Sequence, residues 1–320
     1  MQTAQSVEQV DDDVQIRFAA DFENNNMIKN TGKNIGLALS GGCGKGAYQI
    51  GALMAIADYL SPTDFSMASC ASIGSLNAFA FLTGRIKIAR KIWENLKLKG
   101  LKRSIISVMR SEFVNEVIEK YIFPELLPCT FYLPLLNSRE RCLEYYDLTK
   151  YSSETVKQFL KAGISVPPIN QGIRYNNKIL YDGAVVDNIP IYPLANKKLD
   201  YIICVCFDKD FCFENSELDS RIIKITFPKD TSIRQSLDIN HELIMKMIDD
   251  GYKRASHILS VVFAGGTDDL ERIYNNIHML NSISPDREYR ITIDQVVTNL
   301  NHILKKIKRK EDKESDKITV

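Results

Sequence analysis

Residues 37–53 read LALSGGCGKGAYQIGAL, a stretch that begins with the apolar pattern of a strand and ends with the spacing of a helix. The junction between the two holds one lysine and four glycines: Lys45, Gly41, Gly42, Gly44 and Gly46. A glycine inside a helix or strand costs roughly 0.5–1 kcal/mol, so four of them together indicate a backbone that bends tightly. Their lack of side chains also lets a bound group approach the backbone N–H donors of the turn.

Three kinds of site use such a turn. A Walker phosphate-binding loop needs G-x-x-x-x-G-K-[ST], but Leu39 stands at its first glycine and Gly46 at its hydroxyl position. A dinucleotide fingerprint, G-x-G-x-x-[GA], matches from Gly42 to Ala47, yet the next predicted strand ends without the acid that would bind a ribose. The third interpretation is an oxyanion hole, in which N–H groups at a helix N-terminus stabilise developing negative charge. It requires a nucleophile elsewhere in the chain.

A second strand, turn and helix follow, and this turn carries a serine. Residues 70–74 read CASIG, the form of a G-x-S-x-G nucleophile elbow in which Cys70 replaces the first glycine. In the alternative interpretation, Ser72 is a buried serine that caps the following helix. Strand and helix patterns that alternate in this way, with further β-rich runs at 201–207 and 221–227, predict an α/β fold.

A serine nucleophile needs a base, and two kinds of residue are candidates. Four histidines follow the predicted strands, all in segments that look helical: His241, His257, His278 and His302. Asp182 ends a predicted strand in the sequence YDGA, where an aspartate often only forms a turn. Held beside Ser72 in a poorly hydrated site, Asp182 would instead act as a base, because burial raises the pKa of a carboxyl group above its usual value of about 3.9.

The ordered set of GGCGKG at 41–46, CASIG at 70–74 and DGA at 182–184 resembles the patatin-like phospholipases. The flanking stretches GAYQIGAL, SLNAF and VVDNIPI extend this resemblance, which spans about residues 35–262. It implies a three-layer α/β sandwich with a central, mostly parallel sheet flanked by helices. It also implies hydrolysis of lipid acyl esters through an acyl-serine, by a Ser–Asp dyad that uses no histidine, metal or other cofactor.

Carried over position by position, the resemblance assigns Ser72 as the nucleophile and Asp182 as the base. It places the oxyanion hole in the backbone of Gly41, Gly42, Cys43 and Gly44. The residues that would support these groups are Lys45, Gly46, Cys70, Gly74 and Gly183. Cys43 and Cys70 replace glycines of the family pattern, so one alternative is a catalytically impaired relative that binds a lipid or a partner. Another alternative is a histidine-dependent esterase or thioesterase that acts on soluble substrates.

Residues 85–103 have the pattern of a basic amphipathic helix, with Glu94 as the sole acid and Trp93, the one tryptophan of the chain, in the middle. Such a helix suits an anionic lipid surface. We therefore predict that four of its residues face a membrane: Trp93, Lys91, Lys97 and Lys99. The alternative is an ordinary surface helix whose apolar stripe packs on the core.

Composition limits the class of function. The 320 residues carry a formal net charge of +1, with 45% hydrophobic and 25% charged residues, which is typical of a globular protein and supplies no overall field for nucleic acid. Seven cysteines without a CxxC pair predict neither a disulfide framework nor a zinc site. No secretory signal and no apolar run near the ~18 residues of a membrane span is evident. We predict a cytoplasmic protein peripheral to membranes, or alternatively an effector delivered without a signal peptide.

The chain divides into three predicted regions: a flexible N-terminal arm over 1–33, the catalytic domain over 34–265, and a helical C-terminal extension with a charged tail over 266–320. Residues 86–122 and those from Ser236 onward have helical patterns. The expected function is that of a serine lipid acyl hydrolase of the phospholipase A or lysophospholipase type. Its expected partners are a phospholipid or other acyl-lipid substrate and the membrane surface that holds it.

Overall fold

A computed structural model describes most of the chain. The described residues are 15–18, 33–96, 112–167, 170–195, 197–207, 211–213, 216–227, 240–282 and 289–291. Within these ranges, no helix has both the length and the apolar character needed to cross a membrane.

A mixed sheet forms the centre of the described structure. Its strands, in chain order, are β1 (Gln15–Phe18), β2 (Ile35–Leu39), β3 (Phe65–Cys70), β4 (Thr130–Asn137), β5 (Cys142–Asp147), β6 (Ile173–Tyr175), β7 (Lys178–Asp182), β8 (Tyr201–Cys206) and β10 (Ile222–Thr226). Two further short strands, β9 (Phe211–Phe213) and β11 (Tyr289–Ile291), pair with each other in parallel.

The order across the main sheet is β1-β5-β4-β3-β2-β8-β10, while β7 also pairs with β4, and β6 pairs with β7. Neighbours run parallel from β4 through β3, β2 and β8 to β10, and β1 is parallel to β5. The antiparallel pairs are β4 with β5, β4 with β7, and β6 with β7. The predicted mostly parallel sheet is therefore confirmed.

Helices cover the sheet. They are α1 (Gly46–Ala57), α2 (Ile73–Leu82), α3 (Ile86–Glu94), α4 (Glu112–Tyr121), α5 (Ser153–Ala162), α6 (Tyr192–Ala195), α7 (Ser216–Asp219), α8 (His241–Val262) and α9 (Leu270–Ser282). Each of the motif-bearing helices α1 and α2 begins within a few residues of the carboxyl end of a strand.

Two separate apolar cores show that the sheet is covered on both faces. Successive side chains of a strand point to opposite faces, and the central strand β2 follows this rule. Leu37 and Leu39 belong to the core shared with α1 and α2, whereas Ala38 between them belongs to the core shared with α6 and α7. Every residue of β2 is buried, as expected for a parallel strand between two helical layers. The predicted three-layer arrangement is confirmed.

Helices α1 and α8 cross at very short range, and two glycines allow it. A Cβ atom added to Gly51 would lie 1.9 Å from the carbonyl oxygen of Ile248. One added to Gly251 would lie 2.1 Å from the carbonyl oxygen of Tyr48. The crossing holds α1, and with it the glycine turn that precedes α1, against the body of the domain.

Several elements differ from the sequence predictions. Residues 15–18 lie in the predicted flexible arm but pair with β5 as an edge strand. Neither β5 nor α5 was predicted. Strand β5 was missed because Glu144 breaks its apolar pattern. Its carboxylate is buried and accepts hydrogen bonds from the ammonium of Lys178 at 2.7 and 2.9 Å, a partner distant in sequence. In the predicted C-terminal extension, α9 buries Ile273 in the same core as α1, and residues 289–291 form a strand instead of a helix.

Candidate active site

Ser72 lies on a sharp turn between β3 and α2. Its backbone has φ 53° and ψ −136°, a conformation that L-residues rarely adopt and that marks a strained turn. The hydroxyl makes no capping hydrogen bond to α2, which argues against the interpretation of Ser72 as a helix cap. Gly74 is required here, since a Cβ atom at that position would lie 2.5 Å from the carbonyl oxygen of Ser40. These are the features of a nucleophile elbow.

Cys70 fits the elbow although it replaces a glycine. Its side chain is fully buried, and its thiol lies 4.0 Å from the carbonyl oxygen of Leu37 on the neighbouring strand β2. Burial raises the pKa of this thiol far above its ordinary value. Cys70 is therefore a packing residue with an unreactive thiol.

Asp182 ends β7 and is 1% exposed. Its Oδ1 accepts a hydrogen bond from the N–H of Ala184 at 2.9 Å, and a Cβ atom on Gly41 would meet both Ser72 and Ala184. Burial raises the pKa of Asp182 to about 7, while the neighbouring Ser72 hydroxyl and the N–H of Ala184 lower it. The aspartate thus forms the turn, and it lies beside the serine as the second interpretation of the Asp-Gly motif requires.

The sheet explains why these two residues meet. β4 pairs with β5 along one edge, so β3 and β7 share its other edge. β3 is parallel to β4 and ends opposite Tyr132, whereas β7 is antiparallel to β4 and ends opposite Leu135. The carboxyl ends of β3 and β7 therefore point at each other across a short gap, and the turns after them carry Ser72 and Asp182.

The glycine turn lies against Ser72. A Cβ atom on Gly41 would approach the Cβ of Ser72 to 2.9 Å. The N–H of Gly41 donates to the carbonyl oxygen of Asn188 at 3.3 Å, so this donor of the predicted oxyanion hole already has an acceptor. By contrast, no described residue accepts a hydrogen bond from the N–H groups of Gly42, Cys43 or Gly44. These three are the donors that the turn leaves available.

Cys43 has a positive φ of 49°, in the left-handed region that favours glycine. Its side chain lines the same cavity as Ser72. Burial raises the pKa of the thiol, the nearby charge of Asp182 raises it further, and the charge of Lys45 lowers it. The thiol is therefore a neutral, weakly polar part of the wall.

Lys45 and Phe207 flank the other side of the turn. The ammonium of Lys45 lies 5.6 Å from the centre of the Phe207 ring, within the range of a cation–π contact. The same ring excludes any side chain from Gly42, where a Cβ atom would lie 2.2 Å from it. Gly183 is equally constrained, because its Cβ atom would lie 2.4 Å from the carbonyl oxygen of Pro134.

A buried polar network beneath the turn was not predicted. The amide of Asn77 donates to the carbonyl oxygen of Gly46 and to Oε1 of Gln49, both at 3.0 Å. The amide of Gln49 in turn donates to the carbonyl oxygen of Ser40 at 2.7 Å. This network joins the glycine turn to α2. Its signal in the sequence is a polar residue within the first two turns of each motif-bearing helix.

Trp93 completes the network, and its predicted exposure to a membrane is wrong. The indole is 6% exposed and donates to Oδ1 of Asn77 at 3.1 Å. Gly46 makes room for the ring, since a Cβ atom there would lie 2.8 Å from it. The apolar stripe of α3 packs on the core, as the alternative interpretation expected. Lys91 is exposed on the outer face of α3, whereas Lys97 and Lys99 lie outside the described residues.

A second buried aspartate holds the loop after β7. Asp187 is 2% exposed, accepts a hydrogen bond from the hydroxyl of Tyr145, and has a pKa that burial raises to about 6. Its N–H donates to the carbonyl oxygen of Gly183 at 2.9 Å. The carbonyl oxygen of the next residue, Asn188, accepts the hydrogen bond from the N–H of Gly41. Asp187 thus joins the loop of Asp182 to the glycine turn.

A largely apolar cavity opens beside Ser72 between α2, α3 and α4, with about 930 Å³ of space that is partly open to solvent. Its walls include Leu76, Ala80, Ile92, Trp93, Val117 and Ile164. No histidine lines the described cavity. Among the described histidines, His241 contacts the carbonyl oxygen of Glu94, and His257 and His278 are exposed. His302 lies outside the described residues.

Among the described residues, those closest to a metal-binding arrangement lie away from this cavity. Ligand atoms of Glu140, Cys142 and Glu144 fall within 4.8 Å of one another. The carboxylate of Glu144 already binds the ammonium of Lys178 and accepts from the hydroxyl of Tyr146. A structural ion pair therefore accounts for this cluster.

Comparisons with known proteins find one family and several solved structures that the chain resembles. The family described as Patatin-like phospholipase matches residues 37–195. Among solved structures, VipD from Legionella pneumophila is 14% identical, with a TM-score of 0.45 over 71% of this chain and 67% of that one. ExoU in its heterodimeric complex with SpcU, from the type III secretion system of Pseudomonas aeruginosa, is 14% identical, with a TM-score of 0.38. That match covers 71% of this chain and 51% of ExoU, so the chain spans about half the length of that protein. The predicted family is confirmed: residues 37–195 form a domain of the patatin-like phospholipase family.

Proposed function

We propose that the protein hydrolyses acyl esters of lipids, with Ser72 as the nucleophile and Asp182 as the general base. The observation that carries the proposal is the placement of a serine on a strained elbow beside a fully buried carboxylate, whose pKa the serine hydroxyl lowers. A pKa of about 7 for Asp182 supports it, because a general base works best when its pKa lies near the working pH.

Acylation is the first half of the proposed reaction. Oγ of Ser72 attacks the ester carbonyl carbon while its proton passes to the carboxylate of Asp182. The carbonyl oxygen becomes an oxyanion that accepts hydrogen bonds from the N–H groups of Gly42, Cys43 and Gly44. One such donor is typically worth about 2.7–4 kcal/mol of transition-state stabilisation. The ester C–O bond then breaks, and the leaving alcohol takes the proton from Asp182.

Deacylation repeats these steps with water. Asp182 takes a proton from a water molecule as that molecule attacks the acyl-serine. The same three N–H groups stabilise the second oxyanion, and Ser72 recovers the proton from Asp182 as the fatty acid leaves. A dyad of this kind needs neither a histidine nor a metal.

The cavity supports a lipid substrate. It is walled mainly by aliphatic and aromatic side chains and begins at Ser72, so an acyl chain would leave water as it binds. Phe113 lines the cavity and is 38% exposed, which suits a residue at an opening onto lipid. Lys91, Lys97 and Lys99 remain our proposed contacts to anionic headgroups. The cytoplasmic location, and delivery into another cell as its alternative, remain predictions.

The deciding experiment is the release of fatty acid from vesicles of mixed anionic phospholipids. We expect release by the wild-type protein and its loss in Ser72→Ala and Asp182→Asn, with folding checked by circular dichroism. Ser69→Ala is the matched control, because Ser69 is a buried serine of β3, the strand just before Ser72, and its hydroxyl has no hydrogen-bond partner in the described structure. Release that survives both site substitutions would overturn the proposal, and vesicle binding without release would favour an impaired lipid-binding protein.

A further inference from the structure

One cation lies at the end of the cavity farthest from the nucleophile. Ser72 precedes the first turn of α2, and Ala80 lies near the end of that helix. The N–H of Arg85 donates to the carbonyl oxygen of Ala80 at 2.6 Å, which places the start of α3 beside the end of α2. Both Ser72 and Arg85 line the cavity. The cavity therefore runs along α2 from the serine to the arginine.

The guanidinium of Arg85 has an unusual set of partners. Its Cζ lies 4.0 Å from the centre of the Phe123 ring, just beyond α4. Its Nε is buried and donates to no atom of the described structure. Arg90 on the same helix differs, because its Nε donates to Glu94 at 2.6 Å. Arg85 has no acidic partner among the described residues, so it brings a charge that they do not compensate to a largely apolar cavity.

This charge opposes the entry of an alkyl chain. A guanidinium is a cation with five N–H donors, and donors without an acceptor favour water or another polar group over methylene groups. A chain that stops short of Arg85 leaves these donors hydrated, whereas a longer chain must remove their water or displace the side chain. The free energy gained per methylene should therefore fall once the chain reaches the arginine.

We propose that Arg85, stacked on Phe123, sets the length of the acyl chain that the cavity accepts. The eight residue steps from Ser72 to Ala80 rise about 12 Å at 1.5 Å per step. Since a carbon–carbon bond is about 1.5 Å long and an extended chain advances less than that per bond, this length holds roughly ten carbons. The inference rests on the proposed function for the position of the ester at Ser72, and it makes medium-chain esters the preferred substrates.

The first test measures hydrolysis of a series of saturated p-nitrophenyl esters from four to sixteen carbons. For each ester, kcat/KM of Arg85→Met is divided by that of the wild-type protein, so that differences in solubility between esters cancel. We expect a ratio near one for the short esters and above about tenfold for the sixteen-carbon ester. Arg85→Lys, which keeps the charge, should retain the wild-type profile. Lys87→Met is the matched control, because Lys87 is exposed on the same helix. A ratio that is the same at every chain length would overturn the inference.

The second test does not depend on catalysis. Trp93 is the sole tryptophan and lines the cavity, so its fluorescence reports occupancy by neutral fatty alcohols in the Ser72→Ala protein. Each methylene buried should tighten binding about fourfold until roughly ten carbons, and then stop doing so. Adding Arg85→Met should extend the rise to longer alcohols. Binding that tightens equally to sixteen carbons in both proteins refutes the length limit, even if the ester assay shows no hydrolysis at all. Absence of hydrolysis together with the expected binding pattern would refute only the proposed function.

Discussion

Ser72 lies beside the buried carboxylate of Asp182, although β3, which ends just before Ser72, never pairs with β7, which ends at Asp182. Both strands pair with the same edge of β4 from opposite directions. The approach of Ser72 to Asp182 is therefore a consequence of how β4 is shared.

The pH dependence of activity follows from the carboxylate. Asp182 must be ionised to take the proton of Ser72, and its pKa is raised to about 7. We expect kcat/KM for a water-soluble ester to rise about tenfold per pH unit below 7 and to level off above it. A rate that is already constant from pH 5 upward would contradict this assignment of the base.

The same pKa predicts that removing the aspartate changes how the free energy of unfolding depends on pH. The folded pKa of Asp182, about 7, lies above its unfolded value of about 3.9. The folded state therefore holds the extra proton between these values, and stability falls as the pH rises through this window. In Asp182→Asn this position does not titrate. The free energy of unfolding of the variant minus that of the wild-type protein should therefore increase by about 2–3 kcal/mol from pH 5 to pH 8.

Urea denaturation of both proteins at these two pH values measures that gain. Asp187, whose pKa is also raised by burial, is present in both proteins, so its contribution cancels in the difference. If the difference between the two free energies of unfolding stays constant or narrows as the pH rises, the carboxyl of Asp182 is not protonated in the folded state near neutrality.

Cys43 tests whether the departure from the family pattern impairs the turn. Its φ of 49° is tolerated by a glycine without strain and is a severe outlier for a β-branched residue. We expect Cys43→Gly to change the free energy of unfolding by less than about 1 kcal/mol and to leave ester hydrolysis within a few-fold. Cys43→Val should lower both stability and activity. A large increase in activity for Cys43→Gly would instead identify the cysteine as an inhibitory feature.

The crossing of α1 and α8 predicts a strong packing effect far from the chemistry. Gly51→Ala places a Cβ atom 1.9 Å from a backbone carbonyl oxygen, which cannot move without shifting a helix. We expect a loss of about 1–3 kcal/mol in thermal or urea unfolding. Gly163→Ala is the matched control, because its Cβ atom would lie 3.2 Å from the mobile end of Leu133. Equal effects of the two substitutions would contradict the close crossing.

Charge reversal tests the proposed lipid contacts. Basic residues near an anionic surface contribute about 1 kcal/mol each at low salt, so Lys91→Glu, Lys97→Glu and Lys99→Glu combined should weaken binding to anionic vesicles by roughly 100-fold or more. Salt should reduce the difference. The control combines reversals at three exposed lysines elsewhere: Lys198, Lys246 and Lys253. Equal losses in the two triple variants would show a general effect of net charge.

The sequence by itself determined the features that depend on short-range chemistry. The glycine turn, the elbow and the Asp-Gly motif are recognisable because each needs small or turn-forming residues at neighbouring positions, such as Gly74 two residues after Ser72. The alternation of β-rich and helical patterns was enough for the α/β fold, because the period of apolar residues is a local property.

The tertiary structure decided everything that depends on partners distant in the sequence. Strand β5 is hidden in the sequence because Glu144 breaks its apolar pattern, and contacts with Lys178 and Tyr146 stabilise the buried carboxylate. Trp93 is interior because Asn77 supplies an acceptor for its N–H. The raised pKa of Asp182 likewise comes from the surrounding atoms that exclude water. Burial and hydrogen-bond partners arise only when separate segments pack together, so no local pattern can report them.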